Sequence, residues 1–309
     1  MVEGPMSEIR YSRRLSLWQV MARGLGVMVF LAIFVLMGDT VATAGPLAPV
    51  VFILAAVLML VNTLGYVELV TGAPDANTRA RRGLSRVGGA YVQVHETAGG
   101  WLAFITGWLL ILAGLGVCAL LAQGFARQVT TLVQDHLRLA LPAWPWAAIL
   151  VILSATNNGL GTQGRRQGQA IVLLMVIFLG FALLATPQIN LDYYTVTRLH
   201  WKEMLPLLMV PFVGVEVMAG LQGEMRRRKT DVARVLLLTP VLGAALVATI
   251  TAVAVGVVGA NTVAGSPVPL AWLGARLLGG AGRPFILVAG AFGLALAFGS
   301  AFMQVTRQV

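Results

Sequence analysis

The chain is 309 residues long, 58% hydrophobic and only 11% charged, with a mean hydropathy of +0.84. A chain of this composition faces lipid or its own helices for most of its length, which excludes a soluble domain and describes a polytopic membrane protein. Its formal net charge of +10 does not point to nucleic acid, because the cations stand in short loops between apolar runs; the partner they suit is the anionic lipid headgroup.

Arg10, Arg13 and Arg14 precede the first apolar run. That run has no small-residue cleavage pattern and further spans follow it, so it reads as a retained helix and not as a signal peptide. Windows of about 20 apolar residues cross a hydrocarbon core of about 30 Å. They predict eight spans, at roughly 18–38, 46–71, 99–125, 145–162, 167–187, 203–222, 231–257 and 283–303. The segment 260–280, with Pro267, Pro269 and paired glycines, reads as too broken to span and is expected to lie along the surface.

With the N-terminus in the cytoplasm, sixteen of the 22 cations fall on the inner side. They comprise the N-terminal arginines, Arg23, the run 79–86, Arg165 and Arg166, the cluster 226–234 and Arg307. The bias supports an N-in topology, and one span more or fewer would blur it. Trp144, Trp146 and Trp201 then fall near the outer interface, and Trp18 and Trp101 near the inner one.

Two spans depart from plain apolar helix. The first carries small residues at several positions and ends on Asp39. It reads either as a helix whose glycines allow close packing or as one that breaks near midplane and frees backbone groups for a ligand. The sixth holds Pro211, which removes a backbone donor, and Gly214, which weakens the helix three residues later. Glu216 follows at once. A carboxylate at bilayer depth costs about 2.5–3.5 kcal/mol even on the mildest insertion scales, so it is either functional or a neutral hydrogen-bonded tie between helices. The Arg226-Arg-Arg-Lys229 block suits anionic headgroups at about 1 kcal/mol per cation.

No phosphate-binding loop, HExxH, GxSxG or acid/base carboxylate pair occurs, so no enzyme is expected. Cys118 is the single cysteine and His95, His136 and His200 are scattered, so neither a disulfide, a metal site nor a cofactor is expected.

Four stretches carry a family likeness. Tyr66-Val-Glu68-Leu69 before Pro74 is similar to a tyrosine-x-glutamate-leucine end of helix two. Gly88-Gly89-Ala90-Tyr91-Val92 with Phe104-Ile-Thr-Gly107-Trp108 is similar to a GGxYxY and FxxGW start of helix three. Phe212-Val-Gly214-Val-Glu216 resembles a helix-six FxGFE segment, and Glu224 to Arg234 resembles the loop that follows it. Together, over about 20–309, they resemble the amino acid/polyamine/organocation (APC) superfamily of permeases, amino acid transporter branch.

The resemblance implies an all-α membrane protein with the five-plus-five inverted-repeat (LeuT-like) fold, in which broken helices one and six face each other across a pseudo-twofold. About eight transmembrane helices are then present and the second repeat is incomplete. The divisions are a cytoplasmic segment 1–17, a first five-helix repeat 18–187 and a partial second repeat 188–309. Family members run on through at least two more helices, so a fragment, an incomplete gene model or a shortened member is expected.

The function implied is secondary transport of an amino acid or related amine across the plasma membrane by alternating access. The site residues implied are Ala32, Ile33 and Phe34 in helix one and Phe212, Val213 and Gly214 in helix six, with Phe212 as an aromatic lid. Glu216 is implied in proton coupling or in holding the helix-six break. For sodium coupling, Ser300 is the candidate hydroxyl on helix eight, alongside its reading as a small packing residue. The chain departs from the family where Phe30 stands in place of the first glycine of the helix-one segment, and where 171–187 lacks the basic residue that some members carry in helix five. Phe30 and the missing last helices favour the alternative: a truncated or degenerate permease-like membrane protein without transport, acting as an interaction or regulatory scaffold.

Overall fold

The computed structural model describes residues 16–72, 91, 94–95, 98–139, 141–159, 165–194, 210–220 and 229–308. The motif residues Pro74, Arg79 to Ala90 and Glu224 to Arg228, the first half of the predicted sixth span and the N-terminal arginines lie outside the described residues.

The first span is helical without interruption from Leu17, but not α-helical throughout. Helix α1 (Leu17–Leu31) passes into a π-turn (Ala32–Leu36) and continues as α2 (Met37–Ala44). Its start is capped by Ser16, whose backbone N–H donates to Gln19 Oε1 at 2.9 Å. Gly45, at φ 58, and Pro46 turn the chain back into α3 (Ala48–Gly72), since the left-handed backbone at Gly45 suits a residue without Cβ. The long helix α4 (Gly100–Leu137) is the third span. It runs twelve residues beyond the predicted end at 125, and this added part packs Leu132 on Val268, Ala271 and Leu287 and pairs Asp135 with Arg283. The ring of Tyr91 lies against Gly107, where a Cβ would come within 3.1 Å of it, so two of the motif residues meet.

Helices α5 (Trp144–Gly159) and α6 (Arg165–Ala185) are the fourth and fifth spans. The described part of the sixth is a 3-10 turn (Val210–Val213) leading into α7 (Gly214–Gly220). Helix α8 (Lys229–Val258) is the seventh span, with Pro240 inside it, and α11 (Gly282–Gln308) is the eighth. Between these two lie α9 (Ala260–Ala264) and α10 (Pro269–Leu278). No strand occurs among the described residues.

The expectation of a surface-lying 260–280 segment needs correction. It does not span, but α9 packs on α2 and α10 packs on α11, with Val263, Val268, Leu270, Ala271 and Leu273 all buried. Pro269 opens α10 and Gly279, at φ 61, ends it, so the prolines and glycines that broke the hydropathy signal act as helix ends.

Two helix pairs make the most extensive contacts, α4 with α11 and α3 with α8, and α1 lies between them against α6, α7, α8 and α11. Almost every residue of α1 from Val20 on is buried, whereas Val50, Ile53, Leu54, Val57 and Val61 of α3 and Leu109, Leu112 and Leu115 of α4 are exposed. Apolar residues that point outwards in rows along span-length helices are what a hydrocarbon solvent asks for. Arg283 donates from Nε to Asp135 Oδ2 at 2.6 Å and lies over the ring of Trp272 at 5.1 Å, tying α4, α10 and α11 together. Beyond α6, Tyr194 donates to the Ala252 carbonyl at 2.6 Å, and burial pushes its phenol pKa up.

These contacts differ in weight. A Cβ on Gly24 would stand 2.5 Å from Met218 Cγ and 2.8 Å from the Gly214 carbonyl oxygen. Gly24→Val is therefore expected to cost about 1–3 kcal/mol through overpacking, read as a lowered melting temperature or a lost monodisperse peak in detergent. Asp135→Asn removes a half-exposed pair and is expected to cost about 1 kcal/mol or less by the same melting assay.

Candidate functional site

The described part of the sixth span passes from a 3-10 turn to an α-helix where it meets the first. Pro211 lies within the 3-10 turn, where its missing N–H is harmless, and α-helix resumes at Gly214. Gly214 is there because its neighbour is backbone: a Cβ on it would run into the Gly24 carbonyl oxygen and would lie 3.1 Å from the Met28 amide nitrogen. Phe212 is 2% exposed and points into packed core, while Val213 is half-buried. Glu216 falls in the first turn of α7, where negative charge suits the helix dipole, and its backbone carbonyl accepts from Gln304 Nε2 of α11 at 3.0 Å.

The helix-one residues Ala32, Ile33 and Phe34 begin the π-turn and are buried. The expected midplane break in the first span is thus a wider helical turn, not an unwound segment; single π-turns inside α-helices often mark functional sites. Gly214 meets α1 at Gly24 and Met28, one turn and more inward of Ala32, so the two predicted half-sites are neighbours along α1 and not directly opposed. Phe30 and Phe34 have a ring-to-ring distance of 6.2 Å, and the ring of Phe178 from α6 meets both edge-on, at 6.2 and 5.1 Å. On the far side both rings press on α11, where a Cβ on Gly293 would stand 3.0 Å from Phe30 and one on Gly290 would stand 2.6 Å from Phe34. The space beside the helix-one segment is therefore filled by aromatic side chains.

Val213 leads to open space. It lines, with Val210, a groove of about 890 Å³ between α4 and the start of α5, walled by Ala113, Val117, Leu120 and Trp144, with Gln123 among few polar groups. A groove of this size can take an apolar side chain and offers no charged partner of its own.

Two residues of consequence escaped the sequence reading. Arg23, grouped with the inner-loop cations, is 1% exposed inside α1, with Nη1 at 3.9 Å from Met303 Sδ of α11. Its place within the first apolar window was the available signal, because an arginine there has to be buried or snorkel. Gln167 of α6 donates from Nε2 to the Leu296 carbonyl oxygen at 2.9 Å and to Ser300 Oγ at 3.1 Å. Ser300, the candidate sodium hydroxyl, is thus engaged by a neighbouring amide. No group of three or more metal-ligating side chains occurs among the described residues.

The sequence profile described as amino acid permease matches residues 15–309. The branched-chain amino acid permease BcaP of Bacillus subtilis (strain 168) is 22% identical over 284 residues, which cover 84% of this chain and 58% of that protein. The methylthioribose transporter of the same organism is 24% identical over 214 residues, covering 64% of this chain and 42% of that protein. The chain therefore spans about half the length of these curated relatives. With the all-helical fold, the span-length apolar helices and a profile match over nearly its whole length, the chain belongs to the amino acid permease family of the APC superfamily.

Proposed function

We propose that this protein moves an amino acid or a related amine across the plasma membrane by alternating access, with its N-terminus in the cytoplasm. The observation that carries the reading is the 3-10 turn of the sixth span at Val210–Val213, after which Gly214 meets α1 at Gly24 and Met28, ahead of the π-turn at Ala32–Leu36. Two adjacent helices that each leave regular α-geometry, a turn or more apart along α1, bring backbone polar groups toward a zwitterion inside a low-dielectric protein. Kinship with a branched-chain amino acid permease supports the substrate class. In this reading Ala32, Ile33 and Phe34 contribute from helix one, Phe212 and Gly214 from helix six, and Val213 borders the groove that receives an apolar side chain. Glu216 holds the helix-six break or couples it to a proton, while its backbone carbonyl ties α7 to Gln304 of α11. Anionic headgroups are the partner of the inner-face arginines.

A second reading, a permease-like scaffold without transport, is favoured by one observation. Phe30, Phe34 and Phe178 fill the space beside the helix-one segment, where a substrate would need room. Saturable uptake of a radiolabelled amino acid by the purified 309-residue chain in proteoliposomes decides between the two, and absence of uptake across aliphatic, aromatic and cationic amino acids removes the first.

Phe30→Ala is expected to extend uptake to bulkier substrates, at a stability cost of about 3–5 kcal/mol for the lost ring; competition assays with substrates of graded side-chain volume measure it. Glu216→Gln is expected to lower uptake by about tenfold or more if the carboxylate holds the break or carries a proton. Unchanged uptake with an unchanged pH profile rules out both roles.

A further inference from the structure

The apolar outer face of α4 ends in a cation. Ala113, Gly116, Leu120, Gln123 and Arg127 follow one another at steps of three or four residues and so share one face of the helix. The first four line the groove of about 890 Å³ that α5 and the 3-10 turn of the sixth span close on its other sides, and Arg127 stands one turn beyond Gln123, just past the end of the lining. Ala113, Gly116 and Gln123 are exposed, and a Cβ on Gly116 would meet no atom within 4 Å. The floor of the groove is therefore open to whatever surrounds α4.

Depth along the helix says what that is. Trp101 is 74% exposed and precedes Arg127 by 26 residues. The two are thus about 39 Å apart along the axis, close to the thickness of about 40–45 Å of a bilayer with its headgroups. The exposed residues of α4 between them are apolar or aromatic apart from Gln123. A face of this kind at hydrocarbon depth meets acyl chains, and a cation at its end lies at the level of the phosphates. The groove runs from Ala113 to Ala126, about 20 Å of helix, enough for the hydrocarbon depth of one leaflet at about 15 Å. Arg127 makes no ion pair among the described residues, and Asp135, the one carboxylate of α4, is held by Arg283. A guanidinium without a counter-charge at headgroup level offers its fork of donors to a phosphate.

We propose that this groove holds one acyl chain of a phospholipid whose phosphate is bound by Arg127, in the leaflet at the C-terminal end of α4, and that the site selects a net anionic headgroup. On the N-in topology this is the outer leaflet. An apolar helix from a second copy of the chain suits the groove less well, because it leaves the charge of Arg127 unmet. Lipid binding here does not depend on the transport reading. Its consequence for transport does: Val213 is a wall both for the acyl chain and for the apolar side chain of a substrate, so the two compete at that end of the groove.

The full chain in mild detergent is titrated with phosphatidylglycerol or phosphatidylcholine of the same acyl chains, and bound lipid is counted by native mass spectrometry. The wild type is expected to hold one phosphatidylglycerol, about tenfold more tightly than phosphatidylcholine, and Arg127→Gln is expected to remove that preference. Gly116→Leu fills the groove from its floor, in open space and with a better helix former. It is expected to lose both lipids while melting no lower than lipid-free wild type, and Ala119→Phe, one turn on, is expected to repeat the loss. Gly180→Leu on α6, where a Cβ also meets no atom within 4 Å, is expected to bind as wild type does.

Retention of lipid in both groove-filling variants overturns the proposal. So does equal affinity for the two headgroups, a mass of two chains in place of a lipid adduct, or stabilisation by inorganic phosphate as large as that by phosphatidylglycerol. Uptake in proteoliposomes of the two compositions reads the competition at Val213, with Gly116→Leu expected to be indifferent to headgroup and a headgroup response equal to that of wild type counting against. If no substrate moves in either composition, the transport reading fails by itself, and the lipid counts still decide what the groove holds.

Discussion

The structure depends on how closely α1 can be approached. In a hydrocarbon solvent helices gain little from simply hiding apolar surface, and association rests on packing and interhelical hydrogen bonds. Contact at backbone distance supplies the first. Gly24 admits Met218 and the Gly214 carbonyl, Gly26 admits Ile171, Gly243 admits Met28, and Gly290 and Gly293 admit the rings of Phe34 and Phe30. These pairs surround one helix on four sides, so α1 is enclosed by α6, α7, α8 and α11. A helix held that way changes neighbours only as a unit, which makes it the natural moving part or, equally, the natural lock.

Several polar groups within this enclosure make cross-helix or local bonds. Gln304 reaches the Glu216 carbonyl, Gln167 reaches Leu296 and Ser300, and threonines such as Thr40, Thr63 and Thr239 return their hydroxyls to the carbonyl four residues back. Buried Arg23 is the exception in charge: a permanent cation inside the first span, with Met303 at its guanidinium. Such a residue is tolerated in the interior of a helix bundle and not on its lipid face.

The π-turn at Ala32–Leu36 and the 3-10 turn at Val210–Val213 show two ways to leave α-geometry without exposing backbone to lipid. The first widens the helix and keeps its hydrogen bonds. The second tightens it and lets proline occupy a position where no donor is needed. The aromatic trio beside the π-turn gives this chain a filled space where the family likeness implied an unwound one. That difference comes from Phe30, whose ring needs the gap that Gly293 leaves.

The sequence by itself determined the solvent, the helical class, the approximate places of the spans and the family. Hydropathy over a span-length window and the proline and glycine positions are local properties, as Gly45 and Pro211 illustrate. It misread 260–280 because proline and glycine mark helix ends as well as loops, and whether a short amphipathic helix is covered depends on α2 and α11. It did not reveal that Arg23 is buried, because a window average does not say which side of a helix is enclosed. Only the tertiary structure decided that Phe30, Phe34 and Phe178 meet, that Gln304 finds Glu216, and that Gln167 finds Ser300. Gln304 lies 88 residues from Glu216, Ser300 lies 133 from Gln167 and Phe178 lies 148 from Phe30, and contact between residues so distant in the chain is set by how whole helices pack, which no local pattern encodes.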